Sequence, residues 1–123
     1  MGGYFGSHPP NSMYKDDRGT IKDLLVGEDF SVTHITFTKG AVRGNHMHKE
    51  TIQHDIILKG RLICKKGNST IYPGKGDEIN IEPTVAHAYK ATEDSEMISI
   101  CFGKRIGDNY SKDTYALQKR LID

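Results

Sequence analysis

The chain has 123 residues, with 17 Lys and Arg against 16 Asp and Glu and a formal net charge of +1. That balance gives no electrostatic reason to propose nucleic acid or an anionic membrane as a partner. No apolar run approaches the roughly 20 residues needed to span a bilayer, and the length suits one domain with a core that needs no disulfide or structural metal. The apolar fraction of 36%, with 13 glycines besides, is that of a globular chain.

The first residues, MGGYFGSHPPNSMYKDD, carry no apolar stretch of the secretory kind. Gly6 stands where a myristoylation signal takes Ser or Thr. A cytoplasmic location is the resulting expectation, and the Asn-x-Ser/Thr matches at Asn68 and Asn109 carry little meaning without export. Residues 1–20 are rich in Gly, Pro, Ser and Asp and read as an N-terminal arm. From residue 21 to 105 the pattern is short and strand-like. Thr33, Ile35 and Phe37 alternate with Val32, His34 and Thr36. Ile52 to Leu58 is a β-branched run, followed by Arg61 to Lys65, Ser69 to Tyr72, Glu78 to Ile81, Ala86 to Ala91 and Met97 to Phe102. Gly-bearing turns separate several of them, which predicts an all-β sandwich or barrel. Cys64 and Cys101 fall inside apolar strands and read as reduced core residues. Residues 106–123 form a C-terminal extension in which 113–122 suits a short helix or an edge strand.

Six histidines stand at 8, 34, 46, 48, 54 and 87. His46 and His48, at i and i+2, face one side of a strand and can chelate one ion. Imidazole suits zinc, iron, nickel and copper alike. Gly40 lies upstream of the pair, Gln53 and Gly60 downstream, and the later segment PGKGDEINIEPTVAH brings in Pro83 and His87. The stretch from Gly40 to Gly60 resembles the first motif of the cupins, and GDEINIEPTVAH resembles the second. The resemblance implies a double-stranded β-helix, or jelly roll, with ligands pointing inward.

Carried over position by position, the resemblance makes His46, His48 and His87 the three histidine ligands of a divalent metal (Zn, Fe, Ni or Mn). Gln53 stands where the family usually places Glu, so the fourth donor is a neutral amide oxygen rather than a carboxylate. Thr84 and Ala91 replace the second motif's usual Gly and Asn. His54 becomes a ligand instead of Gln53 if a bulge shifts the register by one. His34 either lines the same cavity, as a substrate-binding residue, or faces solvent. His8 sits in the arm.

Arg43-Gly44-Asn45-His46-Met47-His48-Lys49 with Gln53, together with Asp17-Arg18-Gly19 and Asn109 to Tyr115, also resembles cupins related to sugar-nucleotide ketoisomerases. In that reading no metal is needed. His46 and His48 serve as acid and base near neutral pH, Arg43 faces a phosphate or sugar oxygen, and Tyr89 supplies a hydroxyl or packs in the core. Three functional readings follow. The first is a metal-binding cupin acting on a small carbonyl compound or sugar derivative, of which a metal-dependent oxygenase is one form. The second is a metal-free isomerase or epimerase of a keto-sugar or sugar nucleotide. The third is a non-catalytic barrel that binds a small ligand. Cupin barrels cover their edge strands by pairing, so the resemblance also implies a homodimer.

Overall fold

A computed structural model describes residues 13–103 and 113–123. The expectations placed on His8, on residues 1–12 of the arm, and on Asn109 to Lys112 lie outside the described residues. Eleven strands make up the regular structure among them: β1 (Met13–Asp16), β2 (Gly19–Val26), β3 (Phe30–Phe37), β4 (Val42–Met47), β5 (Ile52–Lys59), β6 (Leu62–Lys66), β7 (Ser69–Ile71), β8 (Glu78–Ile81), β9 (His87–Ala91), β10 (Ser95–Phe102) and β11 (Tyr115–Ala116). One sheet has the order β1-β2-β3-β10-β5-β8 and the other β11-β4-β9-β6-β7. Every pairing is antiparallel. The two sheets face each other as a jelly roll, the double-stranded β-helix expected from the sequence.

Two differences from the sequence reading concern the ends. Among the described residues, Met13–Asp16 and Gly19–Val26 are strands that begin inside the stretch read as an arm over 1–20. Arg18 closes the β1–β2 turn, donating its backbone N–H to Asp16 Oδ1 at 2.9 Å and its guanidinium to Oδ2 at 3.0 and 2.6 Å. β1 escapes detection because it is an exposed edge with no buried face to impose alternation. Of the two options left open for 113–122, the structure takes the edge strand: Tyr115 and Ala116 pair with Met47 and His46.

The barrel interior is graded along the strands. Phe37, Ile57, Leu62, Ile79, Ala91 and Met97 belong to one buried apolar cluster. Following the inward positions of β5 from Ile57, the side chains become Asp55 and then Gln53. Along β10 they pass from Met97 to Ser99 and Cys101, and along β3 from Phe37 and Ile35 to Thr33 and Ser31. One end of the barrel therefore holds the hydrophobic packing, and the other collects buried polar groups. Both cysteines are buried, in line with core residues. Burial pushes the Cys64 thiol up to about 11, which keeps it protonated and suited to the core.

The turn before β9 carries a local strain. Thr84 has φ 71°, a left-handed conformation that is an outlier for a β-branched residue. It is held there while its backbone N–H donates to the His48 carbonyl at 2.5 Å. The position is the one where the resembling motif usually carries Gly, and the backbone geometry gives the reason. Left-handed φ costs a non-glycine residue about 1–2 kcal/mol, against about 0.5–1 kcal/mol of extra unfolded-state entropy for glycine. Since Thr84 is exposed, we expect Thr84→Gly to stabilise the protein by up to ~1 kcal/mol. Urea unfolding measures this, and a lower midpoint for the variant would refute it.

Candidate functional site

His46 reaches the interior because β4 contains a bulge. Arg43 pairs with Tyr89 and Gly44 with Ala88, but the next pair is His46 with His87, so Asn45 is the extra residue. Gly44 at φ 96° and Asn45 at φ 58° supply the backbone turn. A Cβ on Gly44 would lie 3.0 Å from the His87 carbonyl oxygen, so a side chain there would make β9 give by a few tenths of an ångström, besides the strain of φ 96°. In a regular strand, Arg43 on the inner face would put Asn45 inside and both histidines outside. The bulge reverses that parity and brings His46, and with it His48, to the face that carries His87.

The three rings form a compact triangle. Centroids are 4.8 Å apart for His46 and His48, 4.6 Å for His46 and His87, and 5.1 Å for His48 and His87. One donor nitrogen from each lies within 4.8 Å of the others. Donors around a tetrahedral ion with bonds of about 2.0–2.1 Å sit about 3.4 Å apart, so small side-chain rotations bring the rings to ligating distance. His48 and His87 are each 1% exposed, and His46 is partly open.

The neighbours of these rings fix which nitrogens are available. His48 Nδ1 lies 2.8 Å from the backbone oxygen of Asp113, and His87 Nδ1 lies 3.1 Å from that of Val85. A carbonyl oxygen only accepts, so each Nδ1 carries a proton and donates it. In the neutral ring the lone pair is then on Nε2. Facing His48 Nε2 at 3.2 Å is Gln53 Oε1. The amide cannot be reversed without cost. Its NH2 donates to Asp55 Oδ2 at 2.8 Å, and Tyr89 donates its hydroxyl to the same oxygen at 2.5 Å. Reversal would set two oxygens against each other. Two acceptors thus point at one another in a buried pocket, an arrangement that needs a cation or a proton between them.

The C-terminal segment completes the site from outside the barrel. The Asp113 carboxylate, 2% exposed, accepts from the backbone N–H groups of Lys49, Glu50 and Thr51 and from the Thr51 hydroxyl. Further on, Asn45 Oδ1 accepts from Leu121 and Ile122, and its Nδ2 donates to the Ile122 carbonyl. The residue that makes the bulge therefore also ties down the segment that orients His48.

The other sequence candidates are placed as follows. Gln53 faces the pocket, while His54 points away and meets Glu78 at 2.7 Å. His34 lies on the outer face of β3 beside Glu96, outside the histidine cluster. Arg43 is buried, with its guanidinium over the Phe37 ring and donating to the Thr36 carbonyl at 3.1 Å. Burial and the nearby Arg18 charge lower its pKa. Tyr89 is inside, but its hydroxyl is engaged by Asp55, and burial together with that carboxylate raises its pKa well above the usual phenol value. Asp55 and Asp113 were not singled out from the sequence. Asp55 shares the parity of Gln53 and could have been found by it; Asp113 lies in the resembling segment Asn109 to Tyr115, which gave it no role of its own.

The pKa of Asp113 is lowered. Burial works to raise it, but the four donors together outweigh burial. A carboxyl held below its unfolded value stabilises the fold above that value, about 3.9, and ceases to do so as pH falls through the folded value. We therefore expect Asp113→Asn to be less stable than wild type at pH 7, with the gap closing under acid. Urea unfolding at pH 7 and at about pH 3 tests this, and an unchanged gap would rule out the carboxylate charge as its source.

No family model and no curated protein matches the sequence. Solved structures do. The capsular polysaccharide assembling protein CapF from Staphylococcus aureus aligns over 90% of this chain and 33% of its own, with 22% identity and a TM-score of 0.73. The chain thus spans a third of that protein. KdgF from Halomonas sp. aligns over 84% of this chain and 96% of its own, with 21% identity and a TM-score of 0.71. An RmlC-like cupin from Shewanella frigidimarina aligns over 83% and 92%, with 17% identity and a TM-score of 0.71. Identities at this level speak to the fold, and the fold they share with the two-sheet barrel described above is that of the cupins.

Proposed function

We propose that the chain is a metal-binding cupin whose pocket holds a divalent ion on His46, His48 and His87, with Gln53 Oε1 as a fourth, neutral donor. The observation that carries this reading is the 3.2 Å approach of His48 Nε2 to Gln53 Oε1, each group held in its orientation by another bond, which sets two lone pairs against each other when His48 is neutral. A cation between them turns a repulsive contact into two donor contacts. The donor set, three imidazoles and an amide oxygen, suits borderline ions such as zinc, iron or nickel. Such an ion supplies Lewis acidity toward a carbonyl or enediolate oxygen. The substrate class proposed with it is a small carbonyl compound or sugar derivative, in line with the carbohydrate role in the printed name of CapF.

A second reading rests on the same contact. A proton on His48 Nε2 would also satisfy Gln53 Oε1, and a charged His48 beside His46 makes an acid and base pair for metal-free isomerisation of a keto-sugar or sugar nucleotide. Metal analysis separates the two. The first reading expects about one equivalent of a transition metal after purification without added ions, retained on dialysis against buffer. His87→Ala should lose it, and Gln53→Glu, which adds a negative donor, should hold it at least ~10-fold more tightly against a competing chelator. Protein that is metal-free, and that exchanges a sugar C–H proton with deuterated solvent in the presence of chelator, would favour the second reading and sink the first.

A further inference from the structure

The smaller sheet carries a groove on its outer side, away from the histidines. Cys64 points inward into the apolar cluster, so its neighbour on β6, Lys65, points outward. Lys65 pairs with Thr70 of β7, and the Gly67–Asn68 turn joins the two strands, with Gly67 at φ 57°. The C-terminal segment runs past this hairpin, tied to Asn45 through the backbone of Leu121 and Ile122. Between hairpin and segment lies a groove of about 440 Å³. Lys65, Ser69 and Thr70 stand on one wall, and Lys119 and Arg120 on the other.

We propose that this groove binds the phosphate or diphosphate group of a small molecule. Three cations meet there and no Asp or Glu lines it, although the chain as a whole sets 17 basic residues against 16 acidic ones. Like charges gathered around a concave surface focus a positive field and raise the local concentration of anions. The donors are also unspent. Among the described residues, the ammonium groups of Lys65 and Lys119 enter no hydrogen bond or ion pair, and the hydroxyls of Ser69 and Thr70 have no protein partner. Lys66, by contrast, gives its ammonium to the Asn80 carbonyl at 2.7 Å. Arg120 Nε lies 3.5 Å from the Asp123 carboxylate and 3.4 Å from the Ile122 carbonyl oxygen. The Asp123 side chain is 96% exposed, so an incoming anion can displace it.

Charge and size select the ligand class. Two ammonium groups, a guanidinium and two hydroxyls can all donate, which complements the acceptor oxygens of a phosphate. The ammonium groups meet it as point charges and the guanidinium as a fork. The volume falls within the roughly 300–1,000 Å³ of small-ligand sites. An isolated phosphate fills only part of such a space, which leaves room for the organic body that carries it. A nucleic acid is the less suitable occupant, because it calls for a strongly basic domain and the net charge here is +1. A ligand held by both walls fastens the C-terminal segment to the barrel. That segment carries the Asp113 carbonyl on His48 Nδ1, so the groove bears on the support of the histidine site without entering it.

Isothermal titration of the full chain with inorganic pyrophosphate, in buffer of low ionic strength, tests the proposal. Saturable binding with a dissociation constant below about 1 mM is expected, weaker for orthophosphate and weaker as salt is raised. Lys65→Glu and Lys119→Glu, one on each wall, should each weaken it about 10-fold or more while the far-UV spectrum is kept. His87→Ala should leave the affinity for pyrophosphate as it is, which keeps the test separate from the metal reading. A wild type that does not reach millimolar affinity overturns the proposal. So does affinity that is lost in His87→Ala and kept in both lysine variants, since the anion then sits at the histidines. A short RNA oligonucleotide that binds more tightly than pyrophosphate, through the same two lysines, would overturn the small-molecule assignment.

Discussion

The site depends on one extra residue in β4. Side chains on a strand alternate with period two, so an inserted residue exchanges inside for outside along everything that follows. The Gly44–Asn45 bulge makes that exchange between Arg43, which packs over Phe37, and His46, which faces His87. Asn45 cannot relax to a regular strand without releasing the C-terminal segment held by its amide at Leu121 and Ile122. That segment in turn carries the Asp113 carbonyl on His48 Nδ1. Strand parity, chain-end docking and imidazole tautomer are thus consequences of the same local geometry, and the segment after residue 112 belongs to the site as much as the barrel strands do.

The division of the interior follows from the cost of burying polar groups. An unsatisfied buried polar atom costs about 1–3 kcal/mol, so a barrel that gathers imidazoles, an amide and a carboxylate needs both mutual satisfaction among them and apolar packing elsewhere. The packing comes from Phe37, Ile57, Leu62, Ile79 and Met97 at the opposite end. Mutual satisfaction is reached by the chain from Tyr89 through Asp55 to Gln53, in which every contact has a donor and an acceptor. The chain ends where Gln53 Oε1 meets His48 Nε2, beside the other two imidazoles. That contact, with His48 neutral, is where the proposed cation would find donors on both sides.

Much of this was legible in the chain because two periodicities were. The alternation of Thr33, Ile35 and Phe37 gave the inward face of β3, and the Gln53/His54 choice follows from β5 reading regularly into Asp55 and Ile57. The motif pair brought His87 to His46 and His48 across some forty residues. What was not legible depended on long-range contacts or on backbone shape. Asp113 lies far along the chain from His48, and the resemblance over Asn109 to Tyr115 does not say that it caps the turn after His48. The outward turn of His34 follows from its parity with Val32 and Thr36, which takes it away from the cavity role weighed for it and sets it beside Glu96 at 3.0 Å. Arg43 kept the inward face that its position gives, but a guanidinium over Phe37 with a bond to Thr36 is a packing environment that spacing alone does not reveal.

The Gln at position 53 looks at first like a weakening of the fourth donor, since a neutral oxygen replaces a carboxylate. The neighbouring geometry argues for a displaced charge rather than a missing one. Asp55 is two residues on, on the same inward face, and accepts the Gln53 amide protons at 2.8 Å. Hydrogen bonding from the NH2 group to a carboxylate pushes electron density toward Oε1 and makes it a better donor. A carboxylate inside the barrel, one amide away, still acts as a counter-charge for a cation in the pocket. Moving the charge one amide outward leaves the pocket less negative than a directly bound Glu would, while keeping the counter-charge inside the barrel. A cation in this pocket would keep more of its own field for an incoming oxygen, and the amide, pinned by Asp55 and Tyr89 together, would not be free to turn its protons toward it.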